Sequence, residues 1–310
     1  LARLQWKDST AGRILRMVAS VGPALMPSAR PRDLSNLAWA LGSLELRGFD
    51  ALLLAIAREA VVQIADFNEQ NLSNTCWAYA KLGLRHDPLI RAIAEETVRK
   101  LSSFSAQGLT NTIWGFATLV IKGQETLGDA AWQLICSLLD EIARRLPECT
   151  TQELSNSSWA CCRLGVRHEA FMAAIAEEGQ RKLHDYTTQD LANTAMAFAK
   201  PGICPQSFLR GVAAEASRKM KDFEAREVSN ITWSLAIAGP GLIGPDWLDT
   251  ALGHFAGLVR RGEFEGWELV QLLNACWPQR AELSEWPGLA RTFERRVFDP
   301  VVRALAAVGG

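Results

Sequence analysis

The sequence predicts an all-α fold, an αα-solenoid superhelix of about seven helical-pair repeats of 37–38 residues, and three observations predict it. First, one apolar sentence keeps returning. Leu34-Ser35-Asn36-Leu37-Ala38-Trp39-Ala40 is echoed at Leu72 to Ala78, Leu109 to Gly115, Leu154 to Ala160, Leu191 to Ala197, Val228 to Ser234 and Leu272 to Pro278. Its asparagines stand at 36, 74, 111, 156, 193, 230 and 274, with spacings of 38, 37, 45, 37, 37 and 44. Self-similarity at such a period marks an array, which carries function on a long surface. Second, helix start and stop signals recur in register with that asparagine. Third, 48% hydrophobic residues supply a core, yet no run of 18 uncharged apolar residues exists to span a membrane. Even Ala51 to Ala65 is interrupted by Arg58 and Glu59. The predicted organisation is an N-terminal cap over 1–28, a repeat array over 29–285 and a C-terminal helical cap over 286–310.

Each copy is numbered from its asparagine. Seven residues before it stands an aromatic in five copies: Phe67, Phe104, Tyr186, Phe223 and Trp267. A capping type follows in four, Asn68, Ser105, Thr150 and Thr187, with Glu153 or Asp190 three residues later in two of these. That is the order of a helix start: staple, cap, acidic third position, apolar fourth. Nine residues after the asparagine, Gly83, Gly165, Gly202 and Gly239 supply a left-handed stop. The first helix of each pair is therefore about 14 residues long.

Small residues recur along this helix, at Ala78, Ala80, Gly115, Ala117, Ala160, Ala197, Ala199 and Ala236, and let neighbouring helices approach closely. Position +3 carries Trp39, Trp77, Trp114, Trp159, Trp233 and Trp277, with Met196 in the remaining copy. Among leucines and alanines these indoles are expected to fill the core, although such a row can also stack bases. A second helix follows, for example Pro88 to Leu101, with Asp87 as its cap and proline in its first turn. The two longer spacings are expected as loop insertions near Val120 to Gly128 and Gly239 to Pro245.

Two signals bear on function. Basic pairs stand 12 and 11 residues before the asparagine: Arg99-Lys100, Arg144-Arg145, Arg181-Lys182 and Arg218-Lys219. Acids precede them by four residues (Glu95, Glu96, Asp140, Glu141, Glu177, Glu178 and Glu215), so the expected reading is a solvated, self-neutralised face rather than a phosphate track. The other signal is a polar stripe, because positions −4, 0 and +7 fall within about 40° of arc at 100° per residue. The central triads are Gln70/Asn74/Lys81, Gln107/Asn111/Thr118, Gln152/Asn156/Arg163 and Gln189/Asn193/Lys200; flanking copies read Arg32/Asn36/Ser43 and Arg226/Asn230/Ile237. Amides and bases in one row suit single-stranded RNA recognition by repeats. The asparagine never varies and is expected to hydrogen-bond between repeats. Position +7 varies, so Lys81, Thr118, Arg163 and Lys200 are the candidate readers, with Gln70, Gln107, Gln152 and Gln189 beside them.

Other chemistry is not advertised. His86 and His168 occupy equivalent places after Gly-x-Arg and read as helix-start surface residues. No histidine has a partner at metal-ligand or triad spacing, and there is no phosphate loop or nucleophile elbow. The expectation is no enzyme, no cofactor, no metal and no small-molecule substrate. Seven cysteines without a Cys-x-x-Cys pair, several inside the motif (Cys76, Cys161, Cys162, Cys276), read as small buried residues in a reducing compartment. The net charge is −1, from 33 basic and 34 acidic residues, so a nucleic-acid binder of this composition must segregate its positive charge. The chain begins at Leu1, which leads us to expect a fragment or processed form with any targeting region outside it.

The segments Thr187 to Lys200 and Asn68 to Gly83 resemble the octotricopeptide and heptatricopeptide repeats, helical-pair families of organellar proteins in algae, dinoflagellates and apicomplexans. Their Leu-x-Asn-Thr-x-Trp-Ala-Phe-Ala-x-Leu-Gly signature is matched nearly position for position, and the resemblance covers about nine tenths of the chain. It looks like the chloroplast translation-factor branch. The resemblance implies a mitochondrial or chloroplast protein that binds single-stranded RNA in transcript maturation, stability or translation, including ribosome-associated roles. The sequence reading built on it is a right-handed superhelix that binds such RNA along its polar groove. The rival reading is a protein-binding scaffold or structural subunit of a large organellar assembly, with a helix or extended peptide on the same surface.

Overall fold

The recurring caps start helices where they are expected to. The computed structural model describes residues 10–121, 129–239 and 241–276; the motif position Trp277 and the C-terminal cap 286–310 lie outside these. The chain divides into two compact units, Leu1–Arg145 and Leu146–Gly310. The first holds α1 (Thr10–Leu25), α2 (Pro31–Ser43), α3 (Asp50–Val62), α4 (Glu69–Leu82), α5 (Asp87–Arg99), α6 (Ala106–Ile121) and α7 (Asp129–Arg144). The second holds α8 (Thr151–Leu164), α9 (Glu169–Arg181), α10 (Thr188–Ala199), α11 (Gln206–Arg218), α12 (Ala225–Ala238), α13 (Pro245–Arg261) and α14 (Gly266–Cys276). The described residues contain no strand, so the fold is all-α; within each unit a motif helix packs on the helix that follows it, and each helix packs on the helix two places away. None of these helices is long and apolar enough to cross a membrane.

In the first unit the motif helices α2, α4 and α6 stack in order, with α1, α3, α5 and α7 forming the second layer. In the second unit α8, α10, α12 and α14 stack likewise, backed by α9, α11 and α13. The close seam expected from small residues is present. A Cβ on Gly115 would stand 2.5 Å from Cys76 Sγ, and one on Gly42 would stand 3.0 Å from the Ala78 backbone. The core is filled by the leucine two before the asparagine, such as Leu72, Leu109, Leu154 and Leu191, and by the staple aromatics Phe67, Phe104, Tyr186 and Phe223, all buried.

Capping follows the expected chemistry. Asn71 N–H donates to Asn68 Oδ1 at 2.8 Å, Gly108 N–H to Ser105 Oγ at 3.1 Å, and Asp190 N–H to Thr187 Oγ1 at 3.1 Å. Thr150 and Glu153 cap reciprocally. Gly83 and Gly165 end α4 and α8 in the left-handed region with φ of 70° and 69°, and Gly202 follows α10 with φ of 73°. Gly239 does not share this conformation: its φ of 157° and ψ of 152° lie outside the left-handed helical basin.

Three further expectations are corrected. The cap of α5 is His86, whose Nδ1 accepts from Leu89 N–H at 3.2 Å, and Asp87 is the first helical residue. The extra length near Gly239 to Pro245 is only partly a longer loop: α12 and α13 are joined by 239–244, against 165–168 between α8 and α9, and the larger part lies in α13, 17 residues long against 13 for α9 and α11. Residues 122–128 of the other insertion lie outside the described residues, and α7, at 16 residues, carries part of its length. The last motif copy is also out of register as read from Asn274. Ser155 Oγ donates to Asp190 O at 3.4 Å, and the matching Ser229 Oγ donates to Glu268 O at 2.8 Å. Glu268 is thus the third-position acid, the staple is Phe264 rather than Trp267, and Gln271 occupies the asparagine position. Trp267 instead stands exposed on the first turn of α14, its Nε1 donating to Glu265 at 2.6 Å.

The basic pairs are divided in role. Arg99, Arg144, Arg181 and Arg218 are exposed, and each pairs with a buried glutamate three residues earlier (Glu96, Glu141, Glu178 and Glu215). The second base is not part of a solvated face. Lys100 Nζ donates to Ala65 O at 2.7 Å and Phe67 O at 2.6 Å, in the turn before α4. Lys182 Nζ donates to Pro147 O at 2.8 Å and Cys149 O at 2.7 Å, and Lys219 Nζ to His184 O at 2.8 Å and Tyr186 O at 2.6 Å. Arg145 makes the same connection to Ser102 O and Phe104 O. Gln63 and His254 supply single donors to Ala29 O and Phe223 O. Each of these donors bolts one helical pair to the turn of the pair before it.

Candidate functional site

At 100° per residue the stripe of positions −4, 0 and +7 shares one helix face, and packing leaves that face open. In the first unit Gln70, Gln107 and Lys81 are exposed and Thr118 is half-buried. In the second unit Gln152, Gln189, Arg163 and Lys200 are all exposed. The structure therefore places the eight candidate side chains on the motif helices' unpacked faces, with Thr118 the least accessible.

The tryptophans belong to this face and not to the core. Trp39 is 48% exposed, and Trp77, Trp114, Trp159 and Trp233 are half-buried, as is Met196. The reason is angular: position +3 lies only about 20° from position −4 around the helix. The core behind is closed by the leucines and staple aromatics, which leaves each indole as the wall of the face.

The recurring asparagine also departs from its expected role. Of the six described motif asparagines, Asn230 alone has a side-chain hydrogen bond among the described residues, accepting from Gln271 Nε2 at 2.9 Å. Asn36 is exposed; Asn74, Asn111, Asn156 and Asn193 are half-buried at the open face. Other bonds between successive motif helices come from buried or half-buried neighbours. Asn71 Nδ2 donates to Ser35 Oγ at 2.8 Å, and Thr151 Oγ1 reaches Asp190 Oδ2 at 3.4 Å.

The cations on the face are moderated by their surroundings. Lys81 Nζ stands 3.3 Å from Glu45 Oε1, Arg163 lies 5.7 Å from the centre of the Trp159 ring, and Thr118 Oγ1 donates to Trp114 O at 2.9 Å. Lys200 projects from the end of α10. In the first unit the face deepens into a groove of about 410 Å³. It is lined by Trp39 from α2, by Gln70, Asn74 and their neighbours on α4, and by Gln107, Gly108 and Asn111 on α6. Gln70 and Gln107 were read from the sequence as site residues; Trp39 was not, although the angular arithmetic that grouped the stripe would have found it.

Among the described residues no group of three or more His, Cys, Asp or Glu could hold a metal ion. The histidines at helix starts are caps, His168 Nδ1 accepting from Phe171 N–H at 3.1 Å as His86 does from Leu89. Cys76 and Cys161 are buried free thiols, and burial pushes both up to about 12. A thiol so disfavoured as thiolate is packing material, not a nucleophile.

Fold and site together describe an all-α, solenoid-like protein whose motif helices present an open row of amides and indoles. No protein-family model matches the chain, and no curated protein matches it.

Proposed function

We propose that the open face of the motif helices binds single-stranded RNA, and that the protein acts without catalysis in organellar transcript maturation, stability or translation. The observation that carries the reading is the exposed row in which glutamine, asparagine, tryptophan and a variable +7 residue recur once per helical pair. Single-stranded RNA offers unstacked bases with π-faces and hydrogen-bonding edges, which indoles and amides complement. Lys81, Thr118, Arg163 and Lys200 are the proposed variable contacts, beside Gln70, Gln107, Gln152 and Gln189. The octotricopeptide and heptatricopeptide resemblance supports an organellar setting, mitochondrial or chloroplast.

The near-neutral charge and the Lys81–Glu45 pairing favour a second reading, a scaffold that holds a protein partner in a large assembly. The two separate by experiment. The whole chain is presented with a random single-stranded RNA pool at two salt concentrations. Enrichment of a short motif is the expected result, with a shallow salt slope because few phosphates are neutralised. Replacing Lys81, Arg163 and Lys200 together by alanine is expected to weaken binding and flatten the slope further. No retention at low salt would move the assignment to the scaffold.

A further inference from the structure

We propose that the groove between α2, α4 and α6 is a nucleobase site with Trp39 as its stacking wall. This rests on the RNA reading and deepens it. The groove exists because one copy of the repeat lacks a side chain. Position −3 holds Asp33, Asn71, Glu153, Asp190 and Glu227 elsewhere, and at Asn71 and Asp190 that side chain bonds across to the previous motif helix. In α6 the position is Gly108, so the space beside Ser73 stays open.

Its chemistry selects a base over a phosphate. No lysine or arginine lines it, and Glu69 does, so an anion would meet a carboxylate without a counter-charge. Four amides line it, on Gln70, Asn74, Gln107 and Asn111, each offering a donor and an acceptor to a neutral, planar edge. Asn74 and Asn111 make no side-chain hydrogen bond to the protein among the described residues, which leaves them available to a ligand. The half-exposed Trp39 indole supplies the π-surface, and stacking on it tolerates any base. The recurring asparagines and the tryptophan would therefore read what all bases share, while glutamines and +7 residues supply preference.

The test uses the whole chain and end-labelled 12-nucleotide oligouridine, oligocytidine and oligoadenosine, with binding followed by anisotropy. Trp39→Ala is expected to weaken Kd by about 5- to 150-fold, the range that base stacking on one aromatic supplies, with the salt slope unchanged. Trp39→Phe is expected to stay within a few-fold of the parent. Gly108→Asn restores the missing side chain, fills the groove and is expected to weaken binding as Trp39→Ala does, with far-ultraviolet circular dichroism confirming the fold. If the parent chain binds RNA and both variants bind equally well, the groove is not a base site although the RNA reading stands. If the parent chain binds none of the oligonucleotides at low salt, the RNA reading falls and the base site with it. Trp39-dependent capture of an extended peptide in place of RNA would likewise overturn the assignment.

Discussion

Replacing Lys182 by methionine would remove one bolt between helical pairs while keeping the aliphatic stem that packs beneath it. In the second unit Lys182 Nζ contacts Cys149 O at 2.7 Å, Pro147 O at 2.8 Å and Glu178 Oε1 at 3.0 Å. A hydrogen bond from a charged donor contributes about 1.5–3 kcal/mol, so losing two removes about 3–6 kcal/mol. Glu178 is only 8% exposed but keeps Arg181 Nη1 at 2.8 Å, so its charge is not stranded. The expected loss is therefore at the low end, about 3 kcal/mol. Arg181→Met removes an exposed partner of the same glutamate and is expected to cost clearly less than Lys182→Met, as exposed pairs do. Arrays do not always unfold in one step. The assay accordingly pairs urea denaturation with amide hydrogen exchange over residues 146–150, the turn whose carbonyls the lysine holds. A loss below about 1 kcal/mol for Lys182→Met, or unchanged protection in that turn, would refute the bolt and return the basic pairs to the solvated face.

Acid should loosen the second unit through the same glutamates. Arg218, then Lys219 and His184, hold Glu215 at about 2 in spite of its burial, whereas an unfolded glutamate titrates near about 4.3. The unfolded chain binds the extra proton between those values, so this contribution is complete above about pH 5 and lost as pH falls toward 2. Urea midpoints measured over that window should drop, and Glu215→Gln should flatten the drop. Gly115→Ala places a methyl against Cys76 Sγ at 2.5 Å and is expected to destabilise by about 1–3 kcal/mol despite alanine's better helix propensity. Adding Cys76→Ala should recover most of the loss in thermal denaturation. The buried Thr194 Oγ1 has no hydrogen-bond partner among the described residues, so Thr194→Val should stabilise by about 1 kcal/mol; a lowered Tm would contradict this.

The helix pairs were legible because they are local. Caps such as Thr150 and Thr187, stops such as Gly83 and the leucine–aromatic staple depend on residues within one turn of each other. What the sequence hid depends on the neighbour in space. Tryptophan among alanines reads as core; its angle sets Trp39 beside the stripe, and the packing of α2 against α4 decides how much of it is covered. The lysine at 182 shares i,i+4 spacing with Glu178 whether the pair is solvated or bent back onto Cys149, and it follows that carbonyl by 33 positions. The seventh copy slipped because Asn274 offered the familiar letter three residues beyond the structural equivalent, Gln271. The bonds from Ser229 to Glu268 and from Gln271 to Asn230 fix the register. For the site, periodicity marked the face, while the groove itself came from an absence, the missing side chain at Gly108.

The backward reach of the bolting residues gives the fold a direction in time. A turn such as 146–150 leaves the ribosome before the residue that satisfies its carbonyls, because Lys182 follows Cys149 by 33 positions. The turn at 183–186 waits in the same way for Lys219, 33 positions beyond Tyr186. With synthesis running from the N-terminus, each helical pair is locked only as its successor emerges. Within the second unit the order of locking is the order of the sequence, and a pause in translation between Cys149 and Lys182 would hold that first turn unfastened.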